Sequence, residues 1–134
     1  MSHPLRIERE AVYPHSPERV WRALVDPAEL AAWLMPNDFV PEVGREFALE
    51  TGAIGTINGE VLEIDEPRRL RCRWSGVFGD TEVTFELSPD GDGTRLRVVH
   101  DGWVEPVPSE WTGFNDGWKQ KLEQDLPRVL GPAQ

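Results

Sequence analysis

The segment RVVHDGW (97–103) places a histidine directly before an aspartate, the residue types of a catalytic acid-base pair. Apolar and polar residues alternate here, which is typical of a β-strand with one buried face. Neighbours on a strand point to opposite faces, so His100 and Asp101 cannot hydrogen-bond as a dyad. The alternation puts His100 on the apolar face. There it could orient a ligand or move a proton, and the simpler interpretation is a buried histidine bonded to a neighbour.

Arg9 is the second polar residue that the alternation directs inward. The segment LRIEREAVY (5–13) is a predicted strand, and Arg9 shares a face with its apolar residues. An inward arginine could bind a ligand carboxylate through two parallel hydrogen bonds, or an internal acid such as Glu63 could neutralise it. We expect the internal salt bridge. His100 and Arg9 are the two catalytic candidates.

Large aromatic residues are frequent and fall mainly on the predicted apolar faces. Each one alone is most simply a core residue, whereas together they could line a pocket for an apolar ligand. The residues predicted to line such a cavity are Trp33, Cys72, Trp74, Phe85, His100, Trp103, Trp111, Phe114, Trp118 and Leu122.

Metal and cofactor sites are not indicated. The three histidines are scattered and the one cysteine, Cys72, has no partner for a zinc site. The glycines of GAIGTING (52–59) lack the following helix and lysine of a phosphate loop, so we interpret this segment as hairpin turn chemistry.

Charge and cysteine content restrict the partners and the compartment. The 134 residues include 14 basic and 24 acidic side chains, a formal charge of −10, which disfavours nucleic acid and anionic membranes as partners. The arginines of 68–73 and 95–97 alternate with apolar residues, which is typical of strands whose arginine-bearing face is exposed to solvent. A single cysteine, no secretory leader and no bilayer-spanning apolar run predict a cytoplasmic protein with one domain over residues 1–134.

Helix and strand patterns divide the chain into three parts. After the first strand, SPERVWRALVDPAELAAWL (16–34) contains two Ser/Asp-Pro starts, which predict two short helices. Turn residues then separate five strands at about 39–50, 55–64, 69–75, 81–88 and 94–103, and such short connections predict an antiparallel meander. A final aromatic-rich helix follows, in which Pro127 predicts a kink or an early end.

Several phrases in this order resemble the START-like superfamily, also called SRPBCC. They are ERVWRALVDPAELAAWL (18–34), GEVLEIDEPRRLRCRW (59–74), VTFELSPDGDGTRLRVVHDGW (83–103) and GWKQKLEQDL (117–126). Within that superfamily the sequence most resembles the branch named after activators of the ninety-kilodalton heat-shock protein ATPase. The resemblance covers nearly the whole chain.

The resemblance implies an α+β helix-grip fold, like that of the birch-pollen allergen. A curved six-stranded antiparallel sheet would surround a long C-terminal helix, with two short helices after the first strand. The first and last strands would pair, so that Arg9 and His100 both point inward. Relatives often form dimers, which predicts a homodimer.

Binding of a hydrophobic small molecule between sheet and helix, without catalysis, is the function we expect from the fold and the aromatic residues. Two alternatives stay open. The first is a chaperone regulator that binds its partner through an outer face, and the second is a cyclase-like or hydrolase-like enzyme that uses His100 and Arg9. No cofactor is expected.

Overall fold

A six-stranded antiparallel sheet forms the frame of the molecule in the computed structural model, which describes residues 5–106 and 108–132. The strand order is β1-β6-β5-β4-β3-β2, so the first and last strands are neighbours as predicted. The strands are β1 (Ile7–Tyr13), β2 (Glu46–Glu50), β3 (Thr56–Asp65), β4 (Arg69–Gly76), β5 (Gly79–Asp90) and β6 (Gly93–Asp101).

Two short helices follow β1, at Pro17–Val25 (α1) and Pro27–Trp33 (α2). Ser16 caps the first and Asp26 the second, each by accepting a hydrogen bond from a backbone N–H three residues on. A C-terminal helix then lies in the hollow of the curved sheet. The helix-grip prediction is therefore confirmed.

Burial alternates along the strands as the sequence predicts. On β6 the side chains of Thr94, Leu96, Val98 and His100 are buried between partly exposed arginines and valine. The arginines of the outer face meet glutamates on neighbouring strands, for example Arg71 with Glu82 at 2.9 Å. This outer face carries a network of solvent-exposed ion pairs, each of which contributes little to stability.

The predicted strand at 39–50 is wrong in its first half. Only Glu46–Glu50 is paired with β3, and the preceding segment turns, with Gly44 at φ 88°. Pro41 has no N–H to donate to a ladder, and a positive φ ends extended structure, so a strand cannot run through this segment. A single bridge, between Asn37 and Leu49, connects the residues just before this segment to β2.

The C-terminal helix passes through Pro127 and does not end there. It comprises α3 (Glu110–Gln120), a π-helical turn (Lys121–Asp125) and α4 (Leu126–Leu130). An early end at Pro127 is thus wrong, and the predicted disturbance takes the form of a wider turn just before the proline.

Tyr13 compensates for the hydrogen bond that this proline cannot make. The N–H of Leu126 donates to the carbonyl of Lys121, and Pro127 has no N–H for the carbonyl of Leu122. The Tyr13 hydroxyl donates to that carbonyl at 2.6 Å. Burial raises the pKa of Tyr13, so the phenol keeps its proton.

The core lies between the inner face of the sheet and the helices. Trp118, Leu122, Leu126 and Leu130 form the buried side of the C-terminal helix, and each is at most 6% exposed. Within the described residues, no helix has both the length and the apolar character needed to cross a membrane.

Candidate functional site

A cleft of about 250 Å³ opens to solvent at one end of the C-terminal helix. One wall is the β2–β3 loop, with Thr51, Ala53 and Ile54, and a second is the segment directly after α2, with Leu34 and Met35. Most of the surface that lines the cleft is apolar. The hydroxyl of the loop threonine is already bonded within the loop, to the carbonyl of Gly55.

The helix and the sheet complete this cleft, which we call the end cleft. Trp74 reaches it from β4, and Phe114 and Trp118 reach it from α3. The rings of Trp74 and Trp118 are stacked, with centroids 5.6 Å apart and planes 27° apart. The end cleft therefore has an aromatic floor.

Two glycines leave room for the end cleft. Gly113 and Gly117 are one helical turn apart on α3, and both line it. A Cβ atom built on either would meet no atom within 4 Å. Larger residues at these two positions would fill the space between helix and loop.

On its other side, Trp118 contacts a sealed cluster around His100. The indole N–H of Trp118 donates to Nδ1 of His100 at 3.1 Å, and Nε2 of His100 lies 2.8 Å from the hydroxyl of Thr81. That hydroxyl donates to the carbonyl of Trp74, so it accepts the histidine proton. The chain of bonds fixes a neutral imidazole protonated at Nε2.

Burial lowers the pKa of His100 to about 3. The side chain is 0% exposed, and rings of Phe78, Trp103 and Phe114 surround it with centroids 4.7 to 6.5 Å away. No carboxylate takes part in the bonds described above to offset the cost of charge. His100 thus stays uncharged near neutral pH, with both ring nitrogens engaged.

Arg9 lies on the inner face, as the parity of β1 predicts, but the expected salt bridge with Glu63 is wrong. Its guanidinium donates to the side-chain oxygen of Asn115 at 3.1 Å. Glu63 instead pairs with Arg69 and Arg71 on the outer face, because it lies on β3 beyond a bulge and points away from the helix. Arg9 and His100 therefore bond to different partners.

The ten predicted lining residues fall into separate places. Three, Trp74, Phe114 and Trp118, line the end cleft. Cys72 and Phe85 border an interior void of about 10 Å³, too small for a ligand. The others pack elsewhere in the core or beside it: Trp33, His100, Trp103, Trp111 and Leu122.

Several lining residues were missed by the sequence analysis, chiefly the β2–β3 loop and the helix glycines. The sequence indicates only a turn for this loop, and Ile54 belongs to no periodic pattern. One feature of the sequence does indicate the end cleft. Gly113 and Gly117 are four residues apart in a predicted helix, where glycine is unfavourable unless the space beside it is needed.

Lys121 is the charged residue among those that line the end cleft. Its ammonium group donates to the carbonyl of Leu34, the residue that caps the C-terminus of α2, at 2.9 Å. Burial lowers its pKa, and Asp125 one turn further along opposes that shift. Within the described part of the chain, no three His, Cys, Asp or Glu residues lie together as a metal site would require.

The sequence matches the model of one protein family over residues 14–131, described as activator of Hsp90 ATPase homolog 1-like protein. A comparison with curated proteins found no match.

Solved structures show the same fold. A protein from Mesorhizobium loti is 33% identical, with a TM-score of 0.87 over 93% of this chain and 96% of its own. The Aha1 dimer from Colwellia psychrerythraea is 19% identical, with a TM-score of 0.81 over 92% and 95%. An HSP90 activator from Plasmodium falciparum is 23% identical, with a TM-score of 0.78 over 94% and 96%. The last two likenesses concern the fold alone.

Proposed function

The chain belongs to the family of activator of Hsp90 ATPase homolog 1-like proteins, and from that premise we propose that it binds an apolar small molecule in the end cleft, without catalysis. The observation that carries this proposal is the cleft itself, an opening of about 250 Å³ with an aromatic floor. Apolar concave sites with a few polar groups are the usual form of small-molecule sites.

The size of the end cleft limits what it can hold. At roughly 15 Å³ of cavity for each water-sized group, 250 Å³ accommodates on the order of fifteen heavy atoms. One or two fused aromatic rings with a short substituent fit this space, and a longer molecule would extend into solvent. The flat faces of Trp74 and Trp118 favour an aromatic ligand through stacking.

Filling the end cleft tests the proposal. Gly117→Leu places a side chain in the opening, whereas Asp116→Leu adds the same side chain at a neighbouring, exposed helix position that does not line it. Calorimetric titration with the neutral probe 1-naphthalenemethanol should show binding to the parent protein and to Asp116→Leu. We expect Gly117→Leu to bind at least tenfold more weakly.

The proposal fails if the parent protein does not bind the probe, or if Gly117→Leu binds it as well as Asp116→Leu does. Circular dichroism of each variant checks that it is folded. Native mass spectrometry of the protein from its own cells then searches for a retained apolar molecule.

Binding of a chaperone partner is the second candidate, and the description of the family favours it. The outer sheet face offers it limited support, because arginines such as Arg73 and Arg97 already pair with acids of the same face. A regulator should change a partner ATPase even when Gly117→Leu fills the end cleft.

The cyclase-like or hydrolase-like alternative has less support from the geometry. It requires a proton transfer by His100, whose two ring nitrogens are engaged with Trp118 and Thr81. Turnover that disappears in His100→Gln while ligand affinity is retained would favour it.

Self-association and a cytoplasmic location stay predictions. One solved structure with this fold is a dimer. Light scattering over a range of concentrations tests self-association, and a constant monomer mass would contradict it.

A further inference from the structure

Lys121 is unusual because it is a cation at an otherwise apolar opening in a strongly acidic protein. The chain carries 24 acidic and 14 basic residues, yet among the residues that the structure describes no carboxylate lines the end cleft. Arginines provide most of the basic groups, and the chain's lysines are Lys119 and Lys121. The end cleft therefore carries a positive charge, whereas the net charge of the chain is negative.

The ammonium group of Lys121 has donors to spare. An ammonium group carries three N–H donors, and one of them bonds to the carbonyl of Leu34. Within residues 5–106 and 108–132, no carboxylate is close enough to form an ion pair with it. Asp125, the acid one turn further along the same helix, pairs weakly with Arg128 at 3.8 Å.

We propose that the ligand of the end cleft is an aromatic carboxylate, whose ring lies on Trp74 and Trp118 and whose anionic group binds Lys121. This inference rests on the proposed function and adds the charge of the ligand to it. Partial burial makes the charged lysine costly, and a bound anion would offset that cost. A charge-assisted hydrogen bond is also stronger than a neutral one.

The bond to Leu34 has a purely structural explanation as well, since a lysine side chain that reaches the C-terminus of a helix, here α2, satisfies one of its free carbonyls. That role uses a single donor and requires no ligand. The two explanations differ in their response to an added anion, because only the binding role predicts that a carboxylate changes the environment of the ammonium group.

Two naphthalene probes separate the charge from the ring. The first is 1-naphthoate and the second is its neutral counterpart, 1-naphthalenemethanol. By calorimetry, the parent protein should bind naphthoate about tenfold more tightly than the alcohol. Lys121→Met should remove this difference, and Lys119→Met, an exposed neighbour that does not line the end cleft, should keep it.

A measurement on the unmodified side chains protects the test against a misfolded variant. In protein labelled with carbon-13 at the lysine ε positions, two lysine signals are expected, and the Lys119→Met spectrum assigns them. Naphthoate should shift the Lys121 signal and raise its pKa, while the Lys119 signal stays in place.

Three outcomes decide between the proposals. Preference for naphthoate with a shifted Lys121 signal supports both. Equal binding of the two probes, or an unmoved Lys121 signal, overturns the carboxylate inference and leaves the end cleft as an apolar site. No binding of either probe overturns the proposed function together with the inference that rests on it.

Discussion

The two sides of Trp118 differ in how they are filled. On one side, Phe78, Trp103 and His100 pack together, and each buried polar atom of the His100 chain of bonds has a partner within the protein. On the other side, Gly113 and Gly117 contribute no side chains, and Lys121 has unused donors. The same indole ring is a core residue on one side and a site wall on the other.

This difference teaches that aromatic content alone does not identify a pocket. Large rings fill the sealed side, and the open side is created by two residues with no side chain. The polar groups lead to the same conclusion. Those of the sealed side are satisfied internally, whereas the cation of the open side has capacity for another molecule.

The largest effect is expected from removing the shared ring. Trp118→Ala should lower the free energy of unfolding by about 3–5 kcal/mol, because it leaves a cavity and takes the N–H donor away from His100. Urea denaturation measures the change. The matched control is Trp111→Ala, half-buried on the same helix, which should cost clearly less. Equal losses in the two variants would show that the sealed side is not specially packed.

An intermediate effect should appear in the pH dependence of stability. The pKa of His100 is lowered from 6.5 to about 3, so below pH 6.5 the unfolded chain takes up a proton that the folded chain excludes. Stability therefore falls as the pH decreases through this range.

Denaturation at two pH values isolates that contribution. Between pH 7 and pH 5.5 the parent protein should lose about 1 kcal/mol more than His100→Gln, whose amide can keep both hydrogen bonds without titrating. The same loss in both proteins would mean that His100 is not kept neutral by the sealed cluster.

The smallest effect should come from the open side, with the opposite sign. Gly117→Ala should raise the free energy of unfolding by about 0.5–1 kcal/mol, because alanine favours the helix and its Cβ meets open space. Thermal denaturation measures the gain. A loss of stability would show that the end cleft is closed around this position.

The sequence predicts the frame better than the site, for physical reasons. Alternation along β6 and the Ser-Pro and Asp-Pro helix starts are local patterns, and these predictions were confirmed. The failures have local causes too. Pro41 and Gly44 end an extended segment in which apolar residues suggested a strand, and the π-helical turn accommodates Pro127 within a continuing helix.

The end cleft was harder to predict because it depends on contacts between distant segments. The β2–β3 loop reaches α3 only in the folded chain, so nothing near Ile54 in the sequence indicates a wall. The hydrogen bonding of Arg9 is difficult to predict for the same reason. Its inward direction follows from strand parity, but its partner, Asn115, lies on a helix 106 residues away.

The π-helical turn also sets the rotation of everything beyond it. In an α-helix, residues four apart drift by about 40° around the axis, so a long series with that spacing would leave the core. Trp118, Leu122, Leu126 and Leu130 have that spacing, and all are buried because the wider turn takes up the drift. Ordinary α winding of the same residues would turn the final two leucines by about 100° away from the sheet, whereas deleting one residue between Lys121 and Asp125 would restore ordinary winding and keep both leucines facing it.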